Sequence, residues 1–329
     1  MASDKMRVFF TVDTETSMNG AWADPGRRPL PLEIPIYGNT GSKSYGIPLI
    51  MDILEAHGFR GTFFTEVLCS HVVGADAVGE VFSYIRKRGH DTQLHLHPTY
   101  WHYRGYLDGR PPREEDLMFQ LPADEQEELF SMGAKLFTEF DGKPPRAYRA
   151  GCYGASEQTL EVLSRHGIEI DSSYNLSYLD QSCGFQYRPL NGPRLFGRIQ
   201  EYPVTNFRVQ HQNGYKPIEI CAVSVAEILM TIDALRDLGC RDVVVSLHSF
   251  SFMKRFSDDG VVPDRVTIRR FKRLCSEIAQ RSDEIEVCVM GETTLRNVQP
   301  ESADWVPCVG WARPLIRKVV QGVNRIPWV

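Results

Sequence analysis

Residues 6–15 read MRVFFTVDTE, an apolar run rich in β-forming residues that ends in two carboxylates. A short, almost uninterrupted apolar run is typical of a strand that is buried on both faces. We therefore predict a buried strand over residues 6–13, followed by a polar loop to about residue 41. Strands of this kind belong to parallel sheets covered by helices, so this stretch indicates the fold class.

The rest of the chain alternates between strand-like and helix-like patterns. Further strands are predicted at 61–64, 90–98, 146–151, 168–171, 242–248 and 285–290. Helices are predicted at 44–57, 76–88, 123–140, 156–167, 223–238 and 264–281. This alternation, without a linker or an internal repeat, predicts an α/β fold that forms a single irregular (β/α)7-type barrel. We assign residues 1–300 to this domain and 301–329 to a C-terminal tail.

The chain has 329 residues, a hydrophobic content of 42% and a formal net charge of −5. These values are ordinary for a globular protein and give no reason to expect a nucleic-acid partner. The N-terminus has no signal-peptide pattern, and no apolar stretch reaches the roughly 18–20 residues that span a membrane. We therefore expect a cytoplasmic protein. The eight cysteines form no CxxC pair, which favours scattered reduced thiols over a metal site.

Titratable side chains follow several predicted strands, at the point where each strand ends. In a β/α barrel the carboxyl ends of the strands share one rim, and reactive residues lie there. The residues at these ends are Asp13, Glu15, His95, His97, Arg149, Asp171 and His248. As a set they resemble a hydrolase site more than a chance collection.

Two pairs of these residues are spaced two apart on extended chain, so each pair shares one face of its strand. Asp13 and Glu15 can divide the work of general base and metal ligand, or Asp13 caps the loop and Glu15 is solvated. His95 and His97 can present two imidazoles to one ion, or one ring is buried and the other exposed. Two histidines and one carboxylate are a common ligand set for a divalent metal.

Three further side chains have roles that the residues alone leave open. His248 ends the apolar strand VVVSLH and is a candidate general acid. Arg149 can pair with a carboxylate base. Asp171 can orient His248 or pair with Arg149, and the pattern does not separate these two roles.

Five short motifs occur in a fixed order along the chain. They are TVDTE at 11–15, GHDTQLHLHP at 89–98, YRAGCYG at 148–154, IDSSY at 170–174 and VSLHSF at 245–250. In this order they resemble the motifs of the polysaccharide deacetylase family, also called the NodB-homology domain or carbohydrate esterase family four. The resemblance covers about residues 6–295, and the HLHP and LHSF forms are most similar to members from surface-polysaccharide and O-antigen gene clusters.

The resemblance implies a role for each matched residue. Asp13 matches the catalytic base, Arg149 the arginine that supports the base, and His248 the catalytic acid. Asp171 matches the carboxylate of the fourth motif. The backbone N–H near Tyr153 would contribute to an oxyanion hole.

The implied metal site departs from the family pattern at two positions. His95 matches the first metal histidine. Thr14 stands where the family has a second aspartate, so Glu15 becomes the expected ligand. Thr99 stands at the position of the second histidine, and His97 is the expected substitute because it shares a face with His95. The resemblance thus implies a divalent ion, with Zn²⁺ as the expected metal.

The activity implied by the resemblance is hydrolysis of an N-acyl group, expected to be N-acetyl, from a sugar in polysaccharide or glycolipid biosynthesis. The substrate would be an N-acylated sugar, an oligosaccharide or a lipid-linked sugar. Aromatic residues in the loops 14–42, 99–120 and 172–200 form either a sugar-stacking cleft or ordinary loop packing. Three alternatives stay open: an amidohydrolase of a non-sugar amide or ureide, with or without a metal, a sugar-binding pseudoenzyme, and a scaffold protein.

Residues 305–329 (WVPCVGWARPLIRKVVQGVNRIPWV) contain four basic residues and no acidic residue. Between residues 315 and 326 the apolar and the polar side chains fall on opposite sides of a helical projection. This pattern predicts a helix docked on the barrel, a peripheral contact with the inner face of an anionic membrane, or an oligomer contact.

Overall fold

The computed structural model describes residues 5–21, 24, 26–188, 190–211, 213–295, 298 and 305–310 of the chain. The strands within this part are β1 (Met6–Thr14), β2 (Thr62–Glu66), β3 (Asp91–Leu96), β4 (Ala147–Ala150), β5 (Ile170–Asp171), β6 (Arg194–Phe196), β7 (Ile199–Glu201), β8 (Asn206–Val209), β9 (Tyr215–Pro217), β10 (Asp242–His248), β11 (Met253–Ser257), β12 (Gly260–Pro263), β13 (Ile285–Cys288) and β14 (Cys308–Val309). The α-helices are α1 (Ile47–Glu55), α2 (Ser70–Val73), α3 (Ala75–Lys87), α4 (Pro98–Leu107), α5 (Ala123–Asp141), α6 (Glu157–Arg165), α7 (Val225–Asp237) and α8 (Arg265–Ala279).

The main sheet curls into an irregular barrel around β1. Its strands follow the order β10–β1–β2–β3–β4–β5–β7–β6, and β13 pairs with the first half of β1. The neighbours from β10 to β7 are parallel, and β6 adds an antiparallel edge. The backbone N–H groups of Thr205 and Ile220 donate to carbonyls of β10 and span the gap between β7 and β10. The predicted (β/α)7-type barrel is confirmed.

The packing of β1 explains why its sequence is apolar on both faces. All residues of β1 are buried. Val8 and Phe10 pack in the large core that includes the helices, whereas Phe9 packs with Phe64 and Tyr202 in a second cluster. Because alternate residues face these two clusters, the middle of the strand is apolar, and polar side chains lie at its start, at Arg7, and towards its end, where the site begins.

Local signals set the helix bounds close to their predicted positions. Gly58, Gly89 and Gly167 follow α1, α3 and α6 with φ angles of 70°, 78° and 72°. Glycine adopts this left-handed conformation at little cost, so it ends helices readily. Ser224 begins α7, and Glu227 completes a capping box with it.

Two segments that the sequence analysis treats as long loops contain regular structure. α4 begins at Pro98, where the strand was predicted to break, because proline fits the first turn of a helix. The buried face of α4 consists mainly of aromatic and polar residues, so it lacks the apolar stripe that predicts a helix. The segment 172–200 contains β6 and part of β7. The loop prediction was therefore wrong in both places.

Residues 305–310 of the predicted tail pack on the barrel. β14 pairs with β8, and Trp305 and Val309 are buried. The amphipathic segment at 315–326 lies outside the described residues. Among the helices that the structure describes, none is long and apolar enough to cross a membrane.

A buried ion pair closes the barrel at the end opposite to the predicted site. Arg7 and Asp242 are neighbours in register, and Arg7 Nε lies 2.5 Å from Asp242 Oδ1. Arg7 also donates to the hydroxyl of Thr293 at 2.8 Å and to the carbonyl of Thr294 at 2.9 Å. A buried guanidinium stays favourable only while it is paired and hydrogen-bonded.

We predict that Asp242→Ala lowers the free energy of unfolding by about 3–5 kcal/mol, because Arg7 would keep a buried charge without its carboxylate. Urea denaturation measures this change. The matched control is Asp237→Ala, since Asp237 is exposed at the end of α7, and it should stay within about 0.5 kcal/mol of the unmodified protein. Equal effects of the two variants would contradict the prediction.

Candidate active site

The parallel registers bring most of the predicted residues to one rim. Asp13 on β1 lies beside His248 on β10, and His95 on β3 lies beside Arg149 on β4. Because these registers align the carboxyl ends of the strands, residues far apart in sequence become neighbours. The structure assembles Asp13, Glu15, His95, His97, Arg149 and His248 in this way.

Asp13 and Arg149 form an ion pair that is almost completely buried. Arg149 Nη1 donates to Asp13 Oδ1 at 2.7 Å. The remaining guanidinium donors reach Ser172, with Nε 2.9 Å from its carbonyl oxygen and Nη2 2.9 Å from its hydroxyl. The guanidinium also lies over the ring of Phe64, 4.5 Å from its centroid. These contacts orient Asp13 and leave its Oδ2 turned towards His248.

His248 faces both carboxylates of the first motif and remains open to solvent. Its Nε2 lies 3.9 Å from Asp13 Oδ2 and 4.0 Å from Glu15 Oε1. Its side chain is 28% exposed, which is the largest exposed fraction among the six assembled residues. The ring stacks on Phe250 at a centroid distance of 5.0 Å, which restricts its orientation. The arrangement suits a group that exchanges a proton with a bound molecule.

Glu15, His95 and His97 form a compact group of metal-ligand type. One ligand atom from each residue lies within 4.8 Å of the other two. Glu15 Oε2 lies 3.3 Å from His95 Nε2 and 2.5 Å from His97 Nε2. His97 Nε2 is buried and makes no aligned hydrogen bond with any described residue. A buried nitrogen in this condition, beside a carboxylate oxygen, fits a site for a shared cation.

Each of the two histidines has its other ring nitrogen held by an oxygen acceptor. His95 Nδ1 lies 2.8 Å from the carbonyl oxygen of Arg149. His97 Nδ1 lies 2.7 Å from Asp116 Oδ2. An acceptor at Nδ1 places the proton there, so Nε2 is the atom left to bind a metal.

The charges within this group shift the pKa of two of its members. Burial acts to raise the pKa of Glu15, but the positive charges of His97 and His95, which lie beside its carboxylate, hold that pKa well below its usual range. Burial acts to lower the pKa of His97, but the carboxylates of Asp116 and Glu15 hold it well above its usual range. Glu15 is therefore ionised and suited to bind a cation.

Asp171 takes neither of its two predicted roles. β5 pairs with β4 so that Asp171 lies beside Tyr148, which faces the helical layer, whereas Arg149 faces the barrel interior. Asp171 accepts hydrogen bonds from the backbone N–H of Ser173 at 3.1 Å and from its hydroxyl at 2.7 Å. Burial raises the pKa of Asp171 and raises that of its neighbour Glu201 well above the usual range. Asp171 and Glu201 are therefore neighbouring buried carboxyl groups, and burial disfavours a negative charge on both of them.

The contact predicted for Asp171 is made by the next residue instead. Successive residues of a strand point to opposite faces, so a shift of one position exchanges the two sides. Ser172 therefore faces the interior and accepts from Arg149. The residue that contacts Arg149 thus lies one position after Asp171, the residue that the motif match identified.

The turn after β4 places Tyr153 beside the ion pair of Asp13. Cys152 and Tyr153 have φ angles of 54° and 60°, a left-handed conformation that is uncommon for residues other than glycine. The Tyr153 hydroxyl lies 3.0 Å from Ser246 Oγ and 3.5 Å from Glu219 Oε1, and its ring stacks on Tyr178. Strained backbone of this kind is often found at functional sites.

Sequence reasoning missed four residues that contact the site. Glu66 ends β2 and accepts from the backbone N–H groups of two following residues, so the strand-end criterion applied to it as well. The alternation of side chains along a strand would have identified Ser172, because it faces the barrel interior next to Asp171. Asp116 and Glu219 lie in segments without a strand pattern, and no signal in the sequence pointed to them. Burial raises the pKa of Glu219, whose neighbours include His248 and Asp13.

Comparisons with known proteins give matches among solved structures. No family model and no curated protein matches the chain. A protein from Mycobacterium smegmatis named for the polysaccharide deacetylases matches with a TM-score of 0.52 and 20% identity, over 90% of this chain and 97% of that chain. Puue allantoinase matches with a TM-score of 0.53 and 12% identity, over 87% of this chain and 88% of that chain.

A family 4 carbohydrate esterase from Streptomyces lividans, in complex with acetate, covers 86% of this chain and 91% of its own, with 12% identity and a TM-score of 0.42. The likeness in fold rests on the two structures with the higher scores, which this chain matches over most of its length. The chain therefore has the polysaccharide deacetylase fold, as its five motifs predicted.

Proposed function

We propose that the protein is a metal-dependent hydrolase that removes an N-acyl group, expected to be N-acetyl, from a sugar. The observation that supports this proposal best is the arrangement at one rim of two adjoining groups. One group, Glu15 with two histidines, has the composition of a metal site, and the other, Asp13 with His248, has that of an acid–base pair.

Glu15, His95 and His97 would hold a divalent ion. Two imidazoles and one carboxylate are a ligand set that Zn²⁺ accepts, with positions left for water and substrate. When bound, such an ion polarises an amide carbonyl and lowers the pKa of a coordinated water towards 7. His95 lies within β3, and Glu15 and His97 directly follow β1 and β3, so the sheet brings the three side chains to one place.

Asp13 is the general base in this proposal. Its Oδ1 is occupied by the hydrogen bond from Arg149, so Oδ2 is the oxygen that accepts a proton from the attacking water. Arg149 is itself fixed by Ser172 and therefore orients the carboxylate rather than taking part in proton transfer. Contacts within the fold thus position the carboxylate of Asp13 that is proposed to act as the base.

His248 is the general acid that protonates the leaving amine. Its Nε2 lies on the open side of both first-motif carboxylates, and its ring is exposed enough to meet a substrate. The products are a carboxylate such as acetate and an amino sugar. The backbone at Tyr153 would stabilise the oxyanion, an interaction whose loss costs about 10²–10³ in rate.

The surroundings of Tyr153 favour a sugar as the substrate. Tyr153 and Tyr178 stack with a centroid distance of 5.5 Å beside the partly buried Glu219. Tyr153 is buried, so the partly exposed Tyr178 would contact the apolar face of a pyranose, and the carboxylate of Glu219 would accept from its hydroxyl groups. We also propose that the protein acts in polysaccharide or glycolipid biosynthesis, on a lipid-linked sugar or a surface polysaccharide. This part of the proposal rests only on the HLHP and LHSF motifs.

An amidohydrolase that acts on a non-sugar amide is the second candidate. This candidate is kept because the chain is also similar in fold to an allantoinase, and fold alone does not determine the substrate. Acetate release from a panel of N-acetyl sugars, with allantoin as a parallel substrate, separates the two. A sugar-binding pseudoenzyme is less well supported, since both Asp13 and His248 are in place.

We predict that Asp13→Asn and His248→Ala each lower kcat by at least about 10²-fold, because each removes a proton-transfer group. Acetate release from the preferred N-acetyl sugar measures the loss, with metal supplied in excess. Asp259→Asn, in the exposed turn between β11 and β12, is the control and should keep full activity. Turnover within a few-fold of normal for either site variant would rule out the acid–base assignment.

We predict that the protein binds a single Zn²⁺ and that Glu15→Gln, His95→Ala or His97→Ala removes it, while the fold persists. Elemental analysis after dialysis measures the metal content. His90→Ala is the control, because His90 contacts Glu55 and Gly61 away from the site. A metal content unaffected by the three ligand substitutions would exclude this site.

The membrane contact stays a prediction from the tail sequence. If residues 311–329 bind an anionic surface, the full chain should sediment with anionic vesicles at low salt and not with neutral ones. A version that ends at Gly310 is the comparison, because it keeps β14 on the barrel. Equal sedimentation of the two proteins would exclude the membrane contact of the tail. The predicted cytoplasmic location would then stand without a membrane association.

A further inference from the structure

Asp116 lies against the metal-type group but comes from a segment that no motif includes. Its Oδ2 lies 2.7 Å from His97 Nδ1, and its Oδ1 accepts the backbone N–H of Thr99 at 3.2 Å. One carboxylate thus connects the side chain of His97 to the first turn of α4. We propose that Asp116 is the positioning residue that orients His97 for metal binding, an inference that rests on the metal site of the proposed function.

The position of His97 in the chain explains why it needs such a partner. His95 lies within β3, and the carbonyl of Arg149 on the next strand fixes its ring. His97 lies one residue beyond the strand, directly before α4, and its Nδ1 contacts the side chain of Asp116 instead of a strand carbonyl. Asp116 supplies the equivalent acceptor from a distant segment. Both rings then have Nδ1 held and Nε2 directed at Glu15.

The backbone at Gly151 also packs closely against the His97 ring. A Cβ atom added at Gly151 would lie 2.5 Å from atoms of this ring, so only glycine leaves room for it. The Asp116 carboxylate binds Nδ1 of the ring, and Gly151 leaves the space that the ring occupies. The orientation of the His97 ring is therefore restricted, although the residue lies outside the sheet.

The pattern in the sequence is consistent with this role. Thr99 occupies the place where the family resemblance expects a second metal histidine, and its backbone N–H binds the same carboxylate. The chain thus combines a histidine two residues after His95 with a carboxylate that orients it. The two features belong together, because His97 without Asp116 would have a free ring outside the strand.

A different role for Asp116 would use Cys152. Ligand atoms of His97, Asp116 and Cys152 also lie within 4.8 Å of one another, and Cys152 Sγ is 3.8 Å from Asp116 Oδ2. In that case Asp116 would bind a metal directly together with the thiol. The two roles of Asp116 predict different results. Loss of a metal ligand lowers the number of ions bound per chain, whereas loss of a positioning residue weakens the affinity for the ion. The Cys152 variant tests whether the thiol binds the metal.

The test is calorimetric titration of the metal-free full chain with Zn²⁺. Asp116→Ala should keep one ion per chain but weaken its Kd by about 10–100-fold. Asp116→Asn should lie between this variant and the unmodified protein, because its amide oxygen still accepts from Nδ1. Glu114→Ala removes an exposed carboxylate two residues away and is the matched control, with no change expected.

Substitution with Co²⁺ gives a second reading, because its visible absorption depends on ligand geometry. The spectrum should change for Asp116→Asn and stay unchanged for Glu114→Ala and for Cys152→Ser. A Kd for Asp116→Ala equal to that of the unmodified protein would overturn the inference and leave the proposed function intact. Loss of the ion in both Asp116→Ala and Cys152→Ser would overturn it too, by making Asp116 a ligand. An unmodified protein that binds no Zn²⁺ would overturn the proposed metal site along with the inference.

Discussion

The buried ion pair between Asp13 and Arg149 is the interaction on which the rest of the site depends. The guanidinium joins β1 to β4 across two intervening strands, and through Ser172 it also reaches the end of β5. Removing one member would leave an uncompensated charge in the barrel, which costs about 3–5 kcal/mol. Because Asp13 is also the neighbour of His248, the same contact that closes the barrel at this end orients the group proposed to act as base.

Strand register then determines which side chains can take part. In parallel pairs, residues in register face the same side, so Asp13 meets His248 and His95 meets Arg149 without any contribution from loops. The same alternation turns Asp171 away from the interior. A motif match identifies the strand but can miss the facing residue by one position, and a shift of one position is enough to exchange a buried carboxyl pair for a serine.

The parts of the fold that follow periodic patterns were predictable, and the remainder depends on contacts between distant segments. The strands of the barrel and their helices carry repeating apolar patterns, and strand ends mark most of the site. α4 was missed because its buried face is aromatic and polar. Asp116 could not be found for a different reason: it lies 19 residues from His97, in a segment whose own sequence has no regular pattern. Only the folded chain brings the two together.

The two carboxylates of the first motif end up with different partners, and this difference explains a division of roles. Asp13 is paired with a guanidinium, which stays protonated under all ordinary conditions and cannot bind a metal. Glu15 is paired with two imidazoles, whose Nε2 atoms can bind a divalent ion. A cation would therefore meet a fixed positive charge beside Asp13, but two further ligand atoms beside Glu15. Asp13 and Glu15 lie two positions apart at the end of β1, and their partners account for the two roles proposed for them: Glu15 would bind the metal, and Asp13 would remain available for proton transfer.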